Sequence, residues 1–182
     1  SLYIADCYAL AEMAGIIGRF DEQNELMKRA EEFSQRMQDI WDPDLGAFLN
    51  YRTDVDTSSS RVSPTMFYPL LAGVGDKDQM DRIVGYFYDT NKFYGEWILP
   101  STTRDDPLFL DQKYWRGSIW PPLNFLTYLS LRKSGYYVAS SELSERSLEL
   151  IMTEWNNKGY VSENYSSITG TGDDERLSSD RF

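Results

Sequence analysis

Apolar residues return along this chain at intervals of three and four, the spacing that places them on one face of an α-helix. Leu2, Ala5, Ala9, Leu10, Met13 and Ile17 predict a first helix of about 15 residues, weakened toward its end by Gly15 and Gly18. Leu26, Ala30, Phe33, Met37 and Ile40 predict a second, capped by Asp21 and stopped by Trp41-Asp42-Pro43. Ser63-Pro64 is an N-cap followed by proline at the first helical position, and Phe67, Leu70 and Leu71 carry a short third helix to Gly73. Asp76 caps a fourth, with Met80, Ile83, Val84 and Phe87 on its face. Pro121-Pro122 opens a fifth through Leu131, and a sixth runs from Tyr137 to Trp155 on Leu143, Leu148, Ile151, Met152 and Trp155.

Between these helices lie two long segments of another character. Residues 44–61 are rich in Gly, Asp, Thr and Ser and read as an excursion with a short strand around Phe48 to Tyr51; residues 91–114 are non-helical, with aromatics, prolines and charged residues. Loops of that length in a compact domain usually carry function. The order helix, helix, long loop occurs three times without a strict sequence repeat. Such a pattern predicts an all-α fold of antiparallel helix pairs, with the loops gathered on one rim of an α/α toroid. A closed six-pair toroid needs about twice as many helices, so the expectation is one unit spanning 1–182 that forms about half of an (α/α)6 barrel, its N-terminal part lying upstream.

Composition narrows the chemistry. The 182 residues are 41% hydrophobic and 26% charged, enough for one core, and the net charge of -11 disfavours nucleic acid and anionic membrane surfaces as partners. Histidine is absent, which removes Ser-His and Cys-His nucleophile systems and histidine zinc sites and leaves acid–base work to carboxylates. The single Cys7 reads as a buried small hydrophobe. No apolar run is long enough to span a bilayer, and the compartment stays open. The clusters Asp21-Glu22, Glu31-Glu32 and Asp173-Asp174-Glu175 read as solvated helix starts and loop tips, because they lack the alternation of a dedicated calcium loop.

From Gly95 the chain reads GEWILPSTTRDDPLFLDQKYWRGSIWPPLNFLTYLSL, and farther on come Ser162-Glu163-Asn164-Tyr165, Thr169-Gly170 and Ser179-Asp180-Arg181-Phe182. These segments resemble family 63 glycoside hydrolases and their bacterial relatives. There a Tyr-Trp-Arg-Gly-x-x-Trp-x-Pro stretch precedes an inner helix and lines the sugar pocket, matched here by Tyr114, Trp115, Arg116, Gly117, Trp120 and Pro122. Trehalases carry a similar segment, but Tyr114 and Arg116 depart from it, which argues against trehalase itself. The resemblance places the catalytic general base on Glu163, and it implies a subsite shaped by Tyr114, Trp115, Arg116, Trp120, Trp97, Asn164 and Tyr165.

It further implies inverting hydrolysis of an α-glycosidic bond in a small oligosaccharide, without cofactor or metal. Inversion requires a protonated acid and an ionised base about 6.5–9.5 Å apart. In the family the acid is an aspartate of a Gly-x-Asp-Asn-Ser loop upstream of the first helix, a motif missing from these residues, so the isolated chain is expected to be inactive and to need the remainder of the barrel or to self-associate. Asp6, Asp105, Asp106 and Asp111 are the local alternatives.

Several residues keep two readings. Trp97, Trp115 and Trp120 either stack on sugar rings or fill core. Arg116 either bonds sugar hydroxyls or pairs with Asp105 or Asp106, and Asp105-Asp106-Pro107 either caps a turn or lets Asp105 reach the pocket. Asn164-Tyr165-Ser166 also fits the N-glycosylation pattern, discounted because a glycan there would block the pocket. A rival to the enzyme is a non-catalytic carbohydrate-binding or scaffold module of the same fold.

Overall fold

The computed structural model describes residues 1–172. The elements follow one another as α1 (Leu2–Ile16), α2 (Phe20–Gln38), β1 (Trp41–Asp42), β2 (Ala47–Phe48), β3 (Tyr51–Arg52), β4 (Thr57–Ser58), α3 (Tyr68–Leu71), α4 (Lys77–Tyr88), β5 (Ser118–Ile119), α5 (Pro121–Lys133), α6 (Tyr137–Lys158) and β6 (Tyr165–Ser166). Short 3-10 turns at Pro64–Phe67 and Phe109–Asp111 complete them. The helices pair as expected, α1 on α2 and α5 on α6. α3 packs on α1 and on α5, so α1, α3 and α5 form an inner row and α2, α4 and α6 an outer one.

Local chemistry accounts for much of this. Asp76 accepts from the Gln79 N–H at 2.9 Å while the Gln79 side chain accepts from the Asp76 N–H at 3.0 Å, a reciprocal cap that starts α4. Ser63 is extended and is followed by proline at N1, as its sequence suggests, although its hydroxyl bonds Thr65 Oγ1 at 2.8 Å instead of a backbone donor. Asp21 is not the cap of α2. Arg19 holds that position, and Asp21 and Glu22 sit in the first turn, where carboxylates oppose the helix dipole. The excursion over 44–61, together with Trp41–Asp42 just before it, forms two small antiparallel hairpins, β1 with β2 and β3 with β4, in place of one strand.

The core gathers Ile4, Phe67, Leu70, Ile83, Phe87, Phe93, Leu99, Leu131 and Leu143. On α4 the expected face is the buried one, and Leu26, Ala30 and Met37 of α2, with Ile40 just past its end, turn inward. Phe33 is the exception, lying at the surface edge-on to Tyr3, with ring centroids 4.8 Å apart. Cys7 is buried as a small hydrophobe.

Two helices bury a face other than the one their large residues mark. α1 packs through Ile4, Cys7, Ala11 and Ala14, and leaves Leu2, Leu10, Met13 and Ile17 exposed. α6 packs through Ala139, Leu143 and Leu150, and leaves Leu148, Met152 and Trp155 exposed. Small residues thus make up most of the buried face of α1. Among the described residues no helix is long and apolar enough to cross a membrane.

Candidate active site

All three long connections run from an outer helix toward an inner one or leave the last outer helix, so they share one end of the array. The residues from Gly95 to Trp120 and from Ser162 to Gly172 meet there. β5 pairs with β6 antiparallel, Ser118 opposite Ser166 and Ile119 opposite Tyr165, and Pro100 bridges to Ile119 on the other side. This ladder joins the tryptophan–arginine segment to the Glu163 segment. Ser101 extends it, its N–H donating to Ser118 O at 2.8 Å and its hydroxyl accepting from the Gly117 N–H at 3.1 Å.

The loop that carries the aromatics is tightly wound. Lys113 and Arg116 exchange backbone hydrogen bonds of 3.1 and 2.9 Å, and Gln112, Tyr114 and Gly117 all have positive φ, at 47°, 51° and 95°. Leu99, on the same connection, stands at 66°. Side-chain-bearing residues adopt that conformation only where surrounding contacts impose it, and such positions concentrate at functional sites. Gly117 is required, because a Cβ there would collide with the Phe109 carbonyl oxygen.

Trp115 and Trp120 stack with ring centroids 4.0 Å apart and planes 9° apart, and Tyr114 stands edge-on to Trp120 at 4.7 Å. Trp120 is buried and its Nε1 donates to Tyr114 O at 2.8 Å, whereas Tyr114, Trp115 and Arg116 lie open at the rim. An indole shelf backed by a buried indole has the amphipathic character suited to a sugar face. Of the two readings for Trp120, the core one describes its position, and Trp115 is the ring that solvent reaches. Trp97 packs with Ile119, Leu150 and Tyr165 and covers Gly170, where no side chain would fit.

Asn164 and Tyr165 do not line an open surface. Tyr165 is completely buried, its hydroxyl accepting from the Ser162 N–H at 3.1 Å, and burial pushes its phenol above the ordinary value. Asn164 is 2% exposed, so it presents no amide for glycosylation either. Tyr165 faces inward because β6 is clamped between β5 and the Thr171–Gly172 segment. Tyr165 braces the loop through its Ser162 contact, whereas Asn164 Nδ2 is buried with no hydrogen-bond partner among the described residues. Glu163, beside them, is exposed. Ser179-Asp180-Arg181-Phe182 and Asp173-Asp174-Glu175 lie outside the described residues.

The acidic residues of the rim are engaged. Arg116 pairs with Asp111 at 3.3 Å, not with Asp105 or Asp106. Asp105 accepts from Lys92 at 2.6 Å; burial would raise its pKa, but the lysine contact and hydrogen bonds hold the carboxyl below the usual range. Asp106 pairs with Arg61 at 2.7 Å and also accepts the Leu108 N–H, the turn-capping role. Asp6 lies exposed on α1. Among the described residues no cluster of three or more carboxylate or cysteine ligands could hold a metal ion.

The model of the mannosylglycerate hydrolase MGH1-like glycoside hydrolase domain matches residues 1–182. The chain belongs to that family. Mannosyl-oligosaccharide glucosidase of Saccharomyces cerevisiae is 29% identical over 110 residues, covering 52% of this chain and 13% of that protein. Mannosylglycerate hydrolase MGH1 of Selaginella moellendorffii is 28% identical over 112 residues, 58% of this chain and 20% of its own length. A family 63 mannosylglycerate hydrolase from Thermus thermophilus, solved in complex with glucose, superposes with a TM-score of 0.79 at 21% identity, over 93% of this chain and 39% of that one. This glycoside hydrolase chain thus spans well under half the length of the relatives it matches. Its fold is part of the (α/α)6 barrel.

Reading the family motif by itself misses two residues. Gln112 bonds across to Ser166 and Ser167, and only its place two positions before Tyr114 hints at a role. Arg104 lies half-buried over the Phe109 ring, its Nη2 donating to Trp97 O at 2.6 Å; burial lowers its pKa, and among the described residues no carboxylate pairs with it. Nothing in the order of the sequence marks it.

Proposed function

We propose that residues 1–182 are one part of the catalytic domain of an inverting glycosidase that cleaves an α-glycosidic, in our reading α-glucosidic, bond in a small oligosaccharide. The observation that carries this is the β5–β6 pairing, which ties the Tyr114–Trp120 shelf to the loop bearing Glu163. Glu163 is the general base that takes a proton from the attacking water. Tyr114, Trp115 and Arg116 form the sugar-facing rim, Trp120 and Trp97 back it, and Tyr165 holds the base's loop. The names of the relatives, a mannosyl-oligosaccharide glucosidase and a mannosylglycerate hydrolase, are consistent with a glycosidic substrate.

The general acid comes from residues outside this chain. Asp105, Asp106 and Asp111, each in an ion pair, are poor candidates for a carboxyl that must stay protonated at neutral pH, since a neighbouring cation favours the charged form. The remainder of the barrel packs on two apolar surfaces, the Leu10–Met13–Ile17 stripe of α1 and a groove of about 400 Å³ between α5 and α6 lined by Phe125, Tyr128 and Ile151. By itself the chain binds sugar without hydrolysing it. A purely sugar-binding module is the rival reading, favoured by the exposed indole shelf.

The deciding experiment is Glu163→Gln in the complete enzyme. Loss of turnover with sugar affinity kept within about threefold, the pattern for removal of an interaction used only in the transition state, supports the base. Retained turnover removes Glu163 from that role, and a wild-type protein that binds but never cleaves establishes the rival.

A further inference from the structure

Gln112 is where the two motifs are joined by a single side chain. Its Oε1 accepts from the Ser167 N–H at 2.9 Å and from Ser166 Oγ at 3.1 Å. Its Nε2 donates to Phe109 O at 2.8 Å and Ser167 Oγ at 3.1 Å, with Gly117 O at 3.4 Å. The amide therefore uses donor and acceptor at once, on one side to its own turn and on the other to a segment 55 residues away. A carboxylate supplies no donor and a thioether no comparable bond.

The rest of the connection is slight. β5 and β6 are two residues each, joined also by the packing of Ile119 on Tyr165, and the turn over 113–116 is held besides by its own backbone pair, the Trp120 indole bonding Tyr114 O, the Trp115–Trp120 stack and the Arg116–Asp111 pair. Ser166 follows Glu163 by three positions, and Tyr114 follows Gln112 by two. A shift of the amide moves the base's loop and the aromatic rim relative to each other.

We propose that Gln112 is a positioning residue, one that acts on the reaction by fixing the register between the Trp115 shelf and Glu163. This rests on the reading of Glu163 as the base. Sugar binding depends on the shelf alone, whereas attack by water depends on where the base stands relative to the sugar on it. Misplacement of a reacting group by about 1 Å costs on the order of 100-fold in rate, so loss of Gln112 affects kcat more than KM.

The test uses the complete enzyme, assayed well below its melting temperature on α-linked glucose and mannose disaccharides. Gln112→Met is expected to lower kcat about 10- to 100-fold with KM within about threefold. Gln112→Glu adds a signature that altered stability does not produce. Its carboxyl regains a donor when protonated, so its kcat relative to the parent rises between about pH 7 and pH 5, while that of Gln112→Met stays flat. If Gln112→Met fails to fold, Ser167→Ala removes one partner and is expected to lower kcat severalfold with the same split. A kcat at the parental level in whichever variant folds overturns the proposal, as does a loss that merely tracks the unfolded fraction. Glu163→Gln separates the two claims. An active Glu163→Gln removes the base and with it the register role built on it; an inactive Glu163→Gln beside a fully active Gln112→Met sinks the positioning role alone.

Discussion

The indole of Trp115 lies parallel to that of Trp120, 4.0 Å centroid to centroid, yet the first is 49% exposed and the second 5%. One ring is offered to solvent and the other fixes it. Trp115→Ala is expected to cost about 0.5–1.5 kcal/mol of stability, the worth of an aromatic pair, while abolishing detectable sugar binding. Trp120→Ala removes a buried side chain and should cost about 3–5 kcal/mol. Thermal melts and a sugar titration of both variants in the complete enzyme check the contrast; unchanged binding in Trp115→Ala contradicts the shelf.

Gly117 permits the turn that carries this shelf. With φ at 95° and the Phe109 carbonyl facing it, Gly117→Ala meets both backbone strain and a collision, and is expected to destabilise the protein by more than about 1 kcal/mol. Urea unfolding measures it. An unaffected midpoint would mean that the turn has another way to close.

Tyr68 gives a pH dependence with a definite sign. Its hydroxyl is buried without a protein partner among the described residues, and burial pushes its pKa up to about 12. A group raised in the folded state contributes stability that is fully present below its unfolded value, about 10, and is lost as pH rises through about 12. Tyr68→Phe should therefore flatten alkaline unfolding in that window and leave stability at neutral pH equal or higher. Denaturation midpoints at several alkaline pH values test this, and an alkaline limb as steep as the parent's assigns the titration elsewhere.

How much of this was legible in the sequence depended on whether the determining contacts were local. The α4 cap needs only Asp76 and Gln79, and its apolar face repeats at three and four, so both were readable. The buried face of α1 was not. Leu10, Met13 and Ile17 are larger than Cys7, Ala11 and Ala14, and which stripe packs on α2 depends on how closely two helices approach. The same holds for Leu148 and Trp155 on α6. Around the site, the motif picks out Glu163, Tyr114 and Trp115, all of them exposed, but the burial of Tyr165 follows from pairing with Ile119, 46 positions earlier, which no local pattern announces. Arg116 was read against Asp105 and Asp106, neighbours across the loop, while the tight turn brings it to Asp111.

The exposed stripe of α1 carries its own prediction. Contiguous apolar surface of this kind marks an interface, so the 1–182 chain alone should self-associate in sedimentation experiments. Met13→Glu with Ile17→Glu should shift it toward monomer. A parent chain that is monomeric throughout would separate this face from any partner.

The most direct test of the central claim is the configuration of the first-formed sugar, followed by proton NMR as the complete enzyme acts on an α-linked glucose disaccharide. Direct water attack assisted by Glu163 predicts release of the β-anomer before mutarotation. First appearance of the α-anomer would mean retention through a covalent intermediate, and would contradict the account.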